Sequence, residues 1–136
     1  MLFVFSGYFP IMTENEIGTI IVESAIEVHR ELGPGLFESV YEAVLARCLE
    51  ERGLRVQRQF PVPIRFRKVL FDEGFRVDLL VEDKVVVALK SVEQVSLVHR
   101  KQVQTYLRLS NCKLGYLLNF GSALMKDGIV RCVNGL

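Results

Sequence analysis

Residues 76–90 read Arg-Val-Asp-Leu-Leu-Val-Glu-Asp-Lys-Val-Val-Val-Ala-Leu-Lys and contain the strongest strand signals of the chain. Two short apolar runs flank the polar triplet 82–84, which predicts an antiparallel β-hairpin with a three-residue loop. In that register position 81 pairs with position 85, and Asp78 lies opposite Ala88. A two-residue loop would instead place Asp78 opposite Val87, so the prediction depends on the length of the loop.

Side chains alternate along a strand, so the predicted hairpin has two faces of different character. One face is predicted to carry Asp78, Leu80, Val86, Ala88 and Lys90. The other face is predicted to be wholly apolar and to carry Val77, Leu79, Val81, Val85, Val87 and Leu89. A carboxylate and an ammonium group would then share one side of two strands that are otherwise hydrocarbon. They form either a cross-strand ion pair at the rim of the sheet or part of a reactive site.

The segments before the hairpin predict two helices and then extended chain. Thr13 and Glu16 have the spacing of a capping box for a helix that ends at Leu32, and a second helix is expected from about Phe37 to Arg52 with Gly53 as its cap glycine. Strands are predicted from residue 56 onward, with the prolines at positions 61 and 63 favouring a sheet edge. Residues 72–74, Asp-Glu-Gly, predict a turn between strands.

The segments after the hairpin predict a third helix and two more strands. The helix is expected over residues 98–109, and the strands over 113–120 and 129–133, with a turn at 126–128. The order helix, helix, strands, helix, strand, strand is typical of an α/β or α+β domain with helices packed on a sheet. A chain of 136 residues that is half apolar fits one such domain.

The composition excludes several classes of protein. Seventeen basic and 16 acidic side chains leave a net charge of +1, so contact with nucleic acid would need a local basic patch. Two such clusters occur, at residues 55–68 and 99–101, and each is equally well a solvated face. Three widely spaced cysteines form no metal motif or disulfide framework, which favours a reducing, cytoplasmic setting. No GxGxxG, P-loop or nucleophile elbow supports a dehydrogenase, kinase or serine hydrolase.

Residues 1–11 are apolar and aromatic, and they differ in character from the rest of the chain. They lack a basic start and are too short to span a bilayer, so neither a signal peptide nor a membrane anchor is expected. We expect a dispensable leader before a single domain of residues 12–136. The alternative is a short strand or arm packed on the domain, and the same apolar residues could cover a second copy in a homodimer.

Several motifs along the chain together resemble a known family. Residues 35–41, Gly-Leu-Phe-Glu-Ser-Val-Tyr, match the pattern of the GxxExxY proteins, which belong to the PD-(D/E)xK nuclease superfamily. The similarity continues through residues 76–81, 89–93, 102–107 and 114–121, and it covers most of residues 13–133. The resemblance implies a restriction-endonuclease-like fold, a central mixed β-sheet flanked by helices. It also implies a nuclease that cleaves DNA with Mg²⁺ or Mn²⁺; RNA stays open as a substrate.

The resemblance also implies a role for particular residues. Asp78 resembles the metal-binding aspartate, and Glu38 resembles the acid on an early helix that supports the metal. Lys90 resembles the lysine that positions the attacking water and steadies the phosphate charge. Gln102 and Tyr106 resemble the QxxxY motif of RecB-like nucleases, which orients the site and the DNA backbone. Taken singly, each has an ordinary structural explanation: Gln102 as a solvated residue, Glu38 as a helix-start acid, and Tyr106, like Tyr41 of the motif that begins at Gly35, as a core aromatic.

The sequence departs from the family pattern at the decisive position. The motif Glu-x-Lys reads Ala88-Leu89-Lys90 here, and a methyl group cannot replace the missing metal ligand. The backbone carbonyl of Leu89 and the carboxylates of Asp78 and Glu38 could still bind Mg²⁺ weakly. Ala88 is explained by natural loss of catalysis, by an engineered substitution, or by Glu93 acting in its place. The competing function is a non-catalytic module that binds nucleic acid or protein.

Overall fold

The computed structural model describes residues 11–136, in which three helices pack on one sheet. Helix α1 spans Glu14–Leu32, and its capping box at Thr13 and Glu16 is present as predicted. Helix α2 spans Glu38–Glu51 and is followed by Gly53, whose φ of +88° ends the helix in the left-handed region. Helix α3 spans Leu97–Ser110 and begins with a capping box of its own.

The sheet has five strands in the order β1-β2-β3-β4-β5, which run as follows: β1 Val56–Phe66, β2 Val69–Val81, β3 Val85–Lys90, β4 Leu114–Asn119 and β5 Ile129–Val133. Strands β3 and β4 are parallel and are connected through α3, while the other neighbouring pairs are antiparallel. The predicted α/β domain with a central mixed sheet is therefore confirmed. Strand β1 lies at the edge, where the missing N–H groups of Pro61 and Pro63 disrupt no inner ladder.

The prediction of a turn at residues 72–74 is wrong. Strands β1 and β2 are instead joined at Arg67 and Lys68, whose φ values of +52° and +67° are typical of a tight hairpin turn. Residues 72–74 lie inside β2 as a bulge, because three residues there oppose one residue of β1. Gly74 is required in this bulge, since a Cβ atom would lie 1.9 Å from the carbonyl oxygen of Val62.

The core has two parts, one on each face of the sheet. Helices α1 and α2 cover the larger part, in which Tyr41 and Leu45 pack against Leu79 and Leu118. Helix α3 covers the smaller part, which includes Ala88. A single helix covers less apolar surface than two, which leaves the α3 face of the sheet the more open one.

Val77 lies on the face opposite to the predicted one. It packs in the part of the core covered by α3, whereas Leu79 and Val81 face α1 and α2. The alternation of β2 breaks at Asp78, beside the point where the pairing of β1 with β2 is interrupted between Arg58 and Phe60. The intervening Gln59 has a φ of +51°, far from extended geometry.

The predicted leader of residues 1–11 lies outside the described residues except for Ile11, which is exposed. The next residue, Met12, packs on the larger part of the core, and its carbonyl accepts a hydrogen bond from Lys84 Nζ at 2.6 Å. Among residues 11–136, no helix combines the length and apolarity needed to cross a bilayer.

Candidate active-site cleft

Asp78 lies where the ladder between β2 and β3 ends. The predicted register is present, with Val81 paired to Val85 across a loop of residues 82–84. The ladder continues to Leu79 paired with Val87, so Asp78 follows on the side of Ala88. The backbone N–H of Leu89 donates to Asp78 Oδ2 at 2.7 Å. A side-chain carboxylate therefore takes the place of a backbone acceptor at the point where the strands separate.

A cleft of about 80 Å³ opens beside this point, between the sheet and α3. It is lined by Arg76, Asp78, Ala88, Lys90, His99, Gln102, Val103 and Tyr106. The structure thus brings together five of the site residues predicted from sequence, two from β3, one from β2 and two from α3. Lys90 and Asp78 share the cleft without forming a direct ion pair within residues 11–136.

Burial raises the pKa of the Asp78 carboxyl above its ordinary value. The Leu89 N–H, the Gln59 amide and the charge of Lys90 oppose this shift, while the nearby charge of Glu42 adds to it. The rise shows that the cleft disfavours a negative charge at Asp78. A cation bound there would relieve this cost, which is the electrostatic condition for a metal or a basic ligand.

Two residues beside Asp78 were not predicted from the sequence. Gln59 contacts Asp78 directly, and Glu42 contacts it through Gln59. Gln59 Nε2 lies 3.2 Å from Asp78 Oδ1 and 2.5 Å from Glu42 Oε1, so one amide bridges the two carboxylates. Glu42 is only 6% exposed and also accepts a hydrogen bond from Arg58 Nε at 2.9 Å. A signal for Glu42 was present, since it lies three and seven residues before Leu45 and Leu49 on the buried stripe of α2.

Tyr106 is held in place by an aromatic stack. Its ring lies parallel to that of Phe75, with centroids 4.3 Å apart. Burial first, and then the charge of Asp78, raise the pKa of the Tyr106 hydroxyl. The phenol therefore stays protonated at neutral pH and can donate a hydrogen bond in the cleft.

His99 and Arg76 were not predicted as site residues, although both line the cleft. The backbone N–H of Ser96 donates to His99 Nδ1 at 3.1 Å as part of the capping box of α3. The neutral imidazole must then carry its proton on Nε2. The capping pattern at residues 96–99 was the available signal, because a histidine in that role has its ring fixed.

Residues 35–41 make contacts that hold the loop between α1 and α2 in place. The Tyr41 hydroxyl donates to the carbonyl of Gly33 at 2.5 Å and accepts from the N–H of Leu36 at 3.1 Å, and its ring stacks on Phe120. Gly35 has a φ of +108°, a conformation that favours glycine. Ser91 Oγ donates to the carbonyl of Leu36 at 2.8 Å. The loop between α1 and α2 is therefore fastened to the residue that follows Lys90.

Glu38 and Glu93 do not line the cleft. Glu38 is exposed in the first turn of α2, two residues after the loop fastened to Ser91. Glu93 is exposed between β3 and α3. Neither carboxylate lies beside Ala88 in the lining of the cleft. Ala88 itself is 6% exposed and packs in the apolar cluster under α3.

Two oxygen donors are available to a hard cation at the end of the β2–β3 ladder, the Asp78 carboxylate and the Leu89 carbonyl. Within residues 11–136, no group of three or more histidine, cysteine or acidic side chains is arranged to hold a metal. The carbonyl of Lys90 points towards β4, because it accepts a hydrogen bond from the N–H of Phe120. Successive carbonyls of a strand point in opposite directions, so the carbonyl of Leu89 points away from β4. One carboxylate and one carbonyl suit Mg²⁺, which keeps several waters and takes further ligands from substrate phosphates.

Larger hollows of about 560 Å³ and 420 Å³ lie elsewhere in the described residues. The first is formed by α1 and residues 123–126, and its histidine, His29, already bonds to the carbonyl of Ser122 at 2.8 Å. The second borders residues 60–63 and 109–112. Neither contains the paired carboxylate, ammonium and amide groups of the small cleft, so chemistry rather than volume marks the candidate site.

Comparison with protein families places the chain in a class. Residues 15–132 match the family described as the PD-(D/E)XK nuclease superfamily. This match spans most of the 136 residues, so the chain belongs to that superfamily. The mixed sheet with flanking helices is accordingly a restriction-endonuclease-like fold. Comparison with curated proteins and with solved structures gave no significant match.

Proposed function

We propose that the cleft is a GxxExxY-type nuclease site for phosphodiester hydrolysis of DNA in the cytoplasm, with turnover strongly reduced by Ala88. The observation that carries this proposal is the convergence of Asp78, Lys90, Gln102 and Tyr106 in one cleft. Membership of the superfamily supports the reaction class. The raised pKa of Asp78 supports a site that is completed by bound positive charge.

The charged and the neutral side chains of the cleft have different proposed roles. Lys90 and Arg76 are the two cations that can hold a phosphate and offset the charge that develops on it. Lys90 is also the group placed to orient an attacking water beside Asp78. The Tyr106 hydroxyl and the Gln102 amide supply neutral hydrogen bonds to the nucleic-acid backbone, in the manner of a RecB-like QxxxY pair.

Asp78 and the Leu89 carbonyl are the proposed ligands for Mg²⁺ or Mn²⁺, with Glu38 as a more distant support. The hydrogen bond from Ser91 to Leu36, two residues before Glu38, supports this assignment. A bound divalent cation would activate water and neutralise charge in an in-line displacement. The ligand missing at position 88 makes this binding weak, because one first-shell carboxylate is absent.

The test is cleavage of labelled single- and double-stranded DNA with Mg²⁺ or Mn²⁺ by Ala88→Glu. We expect cleavage by Ala88→Glu, at least about 100-fold slower cleavage by the unaltered chain, and none by Ala88→Glu/Lys90→Ala, since loss of a transition-state contact of about 3 kcal/mol corresponds to this factor. Ala88→Gln is the matched control, because it has the size of glutamate without the charge. Equal inactivity of Ala88→Glu and Ala88→Gln on every substrate would refute the nuclease proposal.

The second candidate function is binding of nucleic acid without cleavage. It is favoured by the charge of the cleft, where two cations, Arg76 and Lys90, face one carboxylate, Asp78. Such a site attracts a phosphate even without a metal. Binding to DNA that is unchanged by EDTA, combined with inactivity of Ala88→Glu, would select this function over hydrolysis.

A further inference from the structure

Strands β1 and β2 extend beyond the rest of the sheet as a two-stranded ribbon. Strand β2 pairs with β3 only over residues 79–81, whereas it pairs with β1 over nearly its whole length. Because β2 and β3 are antiparallel, the part of β2 before Arg76 runs past the end of β3 at Lys90. The ribbon therefore projects from the end of the sheet at which the cleft lies.

The base of this ribbon is supported by α3, and its outer part is not. Val62, Val77 and Phe75 pack in the cluster under α3, where Phe75 stacks on Tyr106. Beyond them the bulge interrupts the ladder, and every residue of the hairpin arm, which we define as residues 63–74, is exposed except the half-buried Ile64. A two-stranded hairpin without a covering layer gains little stability of its own. Its shape is consistent with a binding element.

One face of the hairpin arm is apolar and aromatic. Cross-strand pairing of Ile64 with Phe71 and of Phe66 with Val69 places these four side chains on the same face. The rings of Phe66 and Phe71 are 57% and 42% exposed. Two large aromatic rings on the surface of so small a domain indicate a partner that covers them.

The tip of the hairpin arm is strongly basic. Arg65, Arg67 and Lys68 lie within four residues and are all exposed, and none of them forms an ion pair within the described part of the chain. The Arg67 guanidinium lies 4.9 Å from the centre of the Phe66 ring. Three cations that have no acidic partner in the described residues, beside two aromatic rings, match the chemistry of a polyanion that carries flat rings.

We propose that the hairpin arm binds unpaired nucleotides, with bases stacked on Phe66 and Phe71 and phosphates held by Arg65, Arg67 and Lys68. This inference rests on the proposed function for its choice of a nucleic acid. A single strand is favoured over a duplex because paired bases already stack on one another and offer no free ring face to an aromatic side chain. Aromatic residues interleaved with cations are the usual platform for single strands.

The length of the ribbon fixes where these nucleotides lie. Val69 lies nine positions before Asp78, which is roughly 25 to 30 Å of strand at about 3.3 Å per residue after allowance for the bulge. At a rise of about 3.4 Å or more per nucleotide, the stacked bases lie no more than about nine nucleotides from the cleft. The hairpin arm would thus bind an unpaired flank of the substrate rather than the bond that is cut.

The experiment compares binding of labelled oligothymidylate of about 6 and about 20 nucleotides by fluorescence anisotropy, using the full chain in EDTA. Phe66→Leu/Phe71→Leu keeps the apolar surface but removes the rings, and we expect affinity for the longer strand to fall at least about 25-fold. Phe66→Tyr/Phe71→Tyr keeps the rings and should bind within about 3-fold of the unaltered chain. Replacing the three cations by alanine should reduce the salt slope by about 2.

Unchanged affinity of the leucine variant would overturn the inference. The inference would also be overturned if the unaltered chain self-associates in a sedimentation experiment and the leucine variant does not, because the apolar face would then bind a second copy of the chain. Its failure is distinguishable from that of the proposed function. If Ala88→Glu cleaves DNA equally well with and without the added substitutions Phe66→Leu/Phe71→Leu, the nuclease site is upheld and nucleotide binding by the hairpin arm is refuted. Ring-dependent binding without any cleavage upholds the arm and refutes the nuclease site.

Discussion

The substitution Ala88→Glu should create a metal-dependent gain in stability that can be measured without any substrate. Ala88 is 6% exposed and lies across from Asp78, the next position after the last ladder pair. Opposed side chains in a sheet are about 5 Å apart. Two carboxylates at that distance repel by about 3 kcal/mol at an effective dielectric constant of about 20. Lys90 shares the cleft and offsets part of this repulsion, so we expect a net cost of about 1 to 2 kcal/mol.

The assay is thermal unfolding of the unaltered chain, Ala88→Glu and Ala88→Gln in EDTA and in Mg²⁺. The glutamine variant has the same steric cost as glutamate, so the difference between the two isolates the charge. For a chain of this size that difference is about 4 to 8 °C in Tm. Magnesium at about 100 times its Kd adds about 2.7 kcal/mol to a protein that binds it only when folded, which would reverse the order of the two variants.

The unaltered chain and Ala88→Gln should shift by only about 1 °C, since each lacks the second carboxylate. Ala88→Glu/Asp78→Asn is the further control, and it should lose most of the magnesium effect. Equal magnesium shifts in Ala88→Glu and Ala88→Gln would show that positions 78 and 88 do not form a cation site. The electrostatic reasoning about the cleft would then be wrong.

Two further predictions concern stability. Because burial raises the pKa of Asp78, the stability that its protonated form contributes is present below about pH 4 and is lost as pH rises through the folded-state pKa. The free energy of unfolding of Asp78→Asn, measured with urea, should therefore rise relative to that of the unaltered chain as pH increases from about 4 to about 7. A difference between the two free energies that stays constant with pH would contradict this. Tyr41→Phe removes two hydrogen bonds but keeps the stack on Phe120, so it should cost about 1 to 2 kcal/mol by the same measurement, whereas a loss under about 0.3 kcal/mol would show that the hydroxyl does not fasten the loop.

The elements with strong local signals could be predicted from the sequence. The capping box at Thr13, the apolar runs on both sides of residues 82–84 and the change of period after Gly53 each determine a structure within a few residues. The same local signals gave the register that places Asp78 near Ala88. The cleft residues of α3 followed from the resemblance, and their meeting with the sheet is a consequence of the crossover between β3 and β4.

The features that depend on irregular backbone could not be predicted. Residues 72–74 have the composition of a turn, yet the chain turns at Arg67 and Lys68, where two non-glycine residues adopt positive φ. Pairing of the long strands over both sides of the bulge outweighs the local preference. The contact of Glu42 with Gln59 likewise depends on the distorted backbone of β1, since a regular strand would orient the Gln59 side chain differently.

The bond between Leu89 and Asp78 makes positions 78 and 88 unequal in what they contribute to the fold. Loss of Asp78 would leave the Leu89 N–H without its partner at the end of a buried strand, at a cost of about 1 to 3 kcal/mol whether or not the protein is an enzyme. Alanine at position 88 has no such energetic cost, because it fits among the apolar side chains under α3. Substitution of Asp78 should thus lower the stability of the fold more than substitution of Ala88, whatever the protein does.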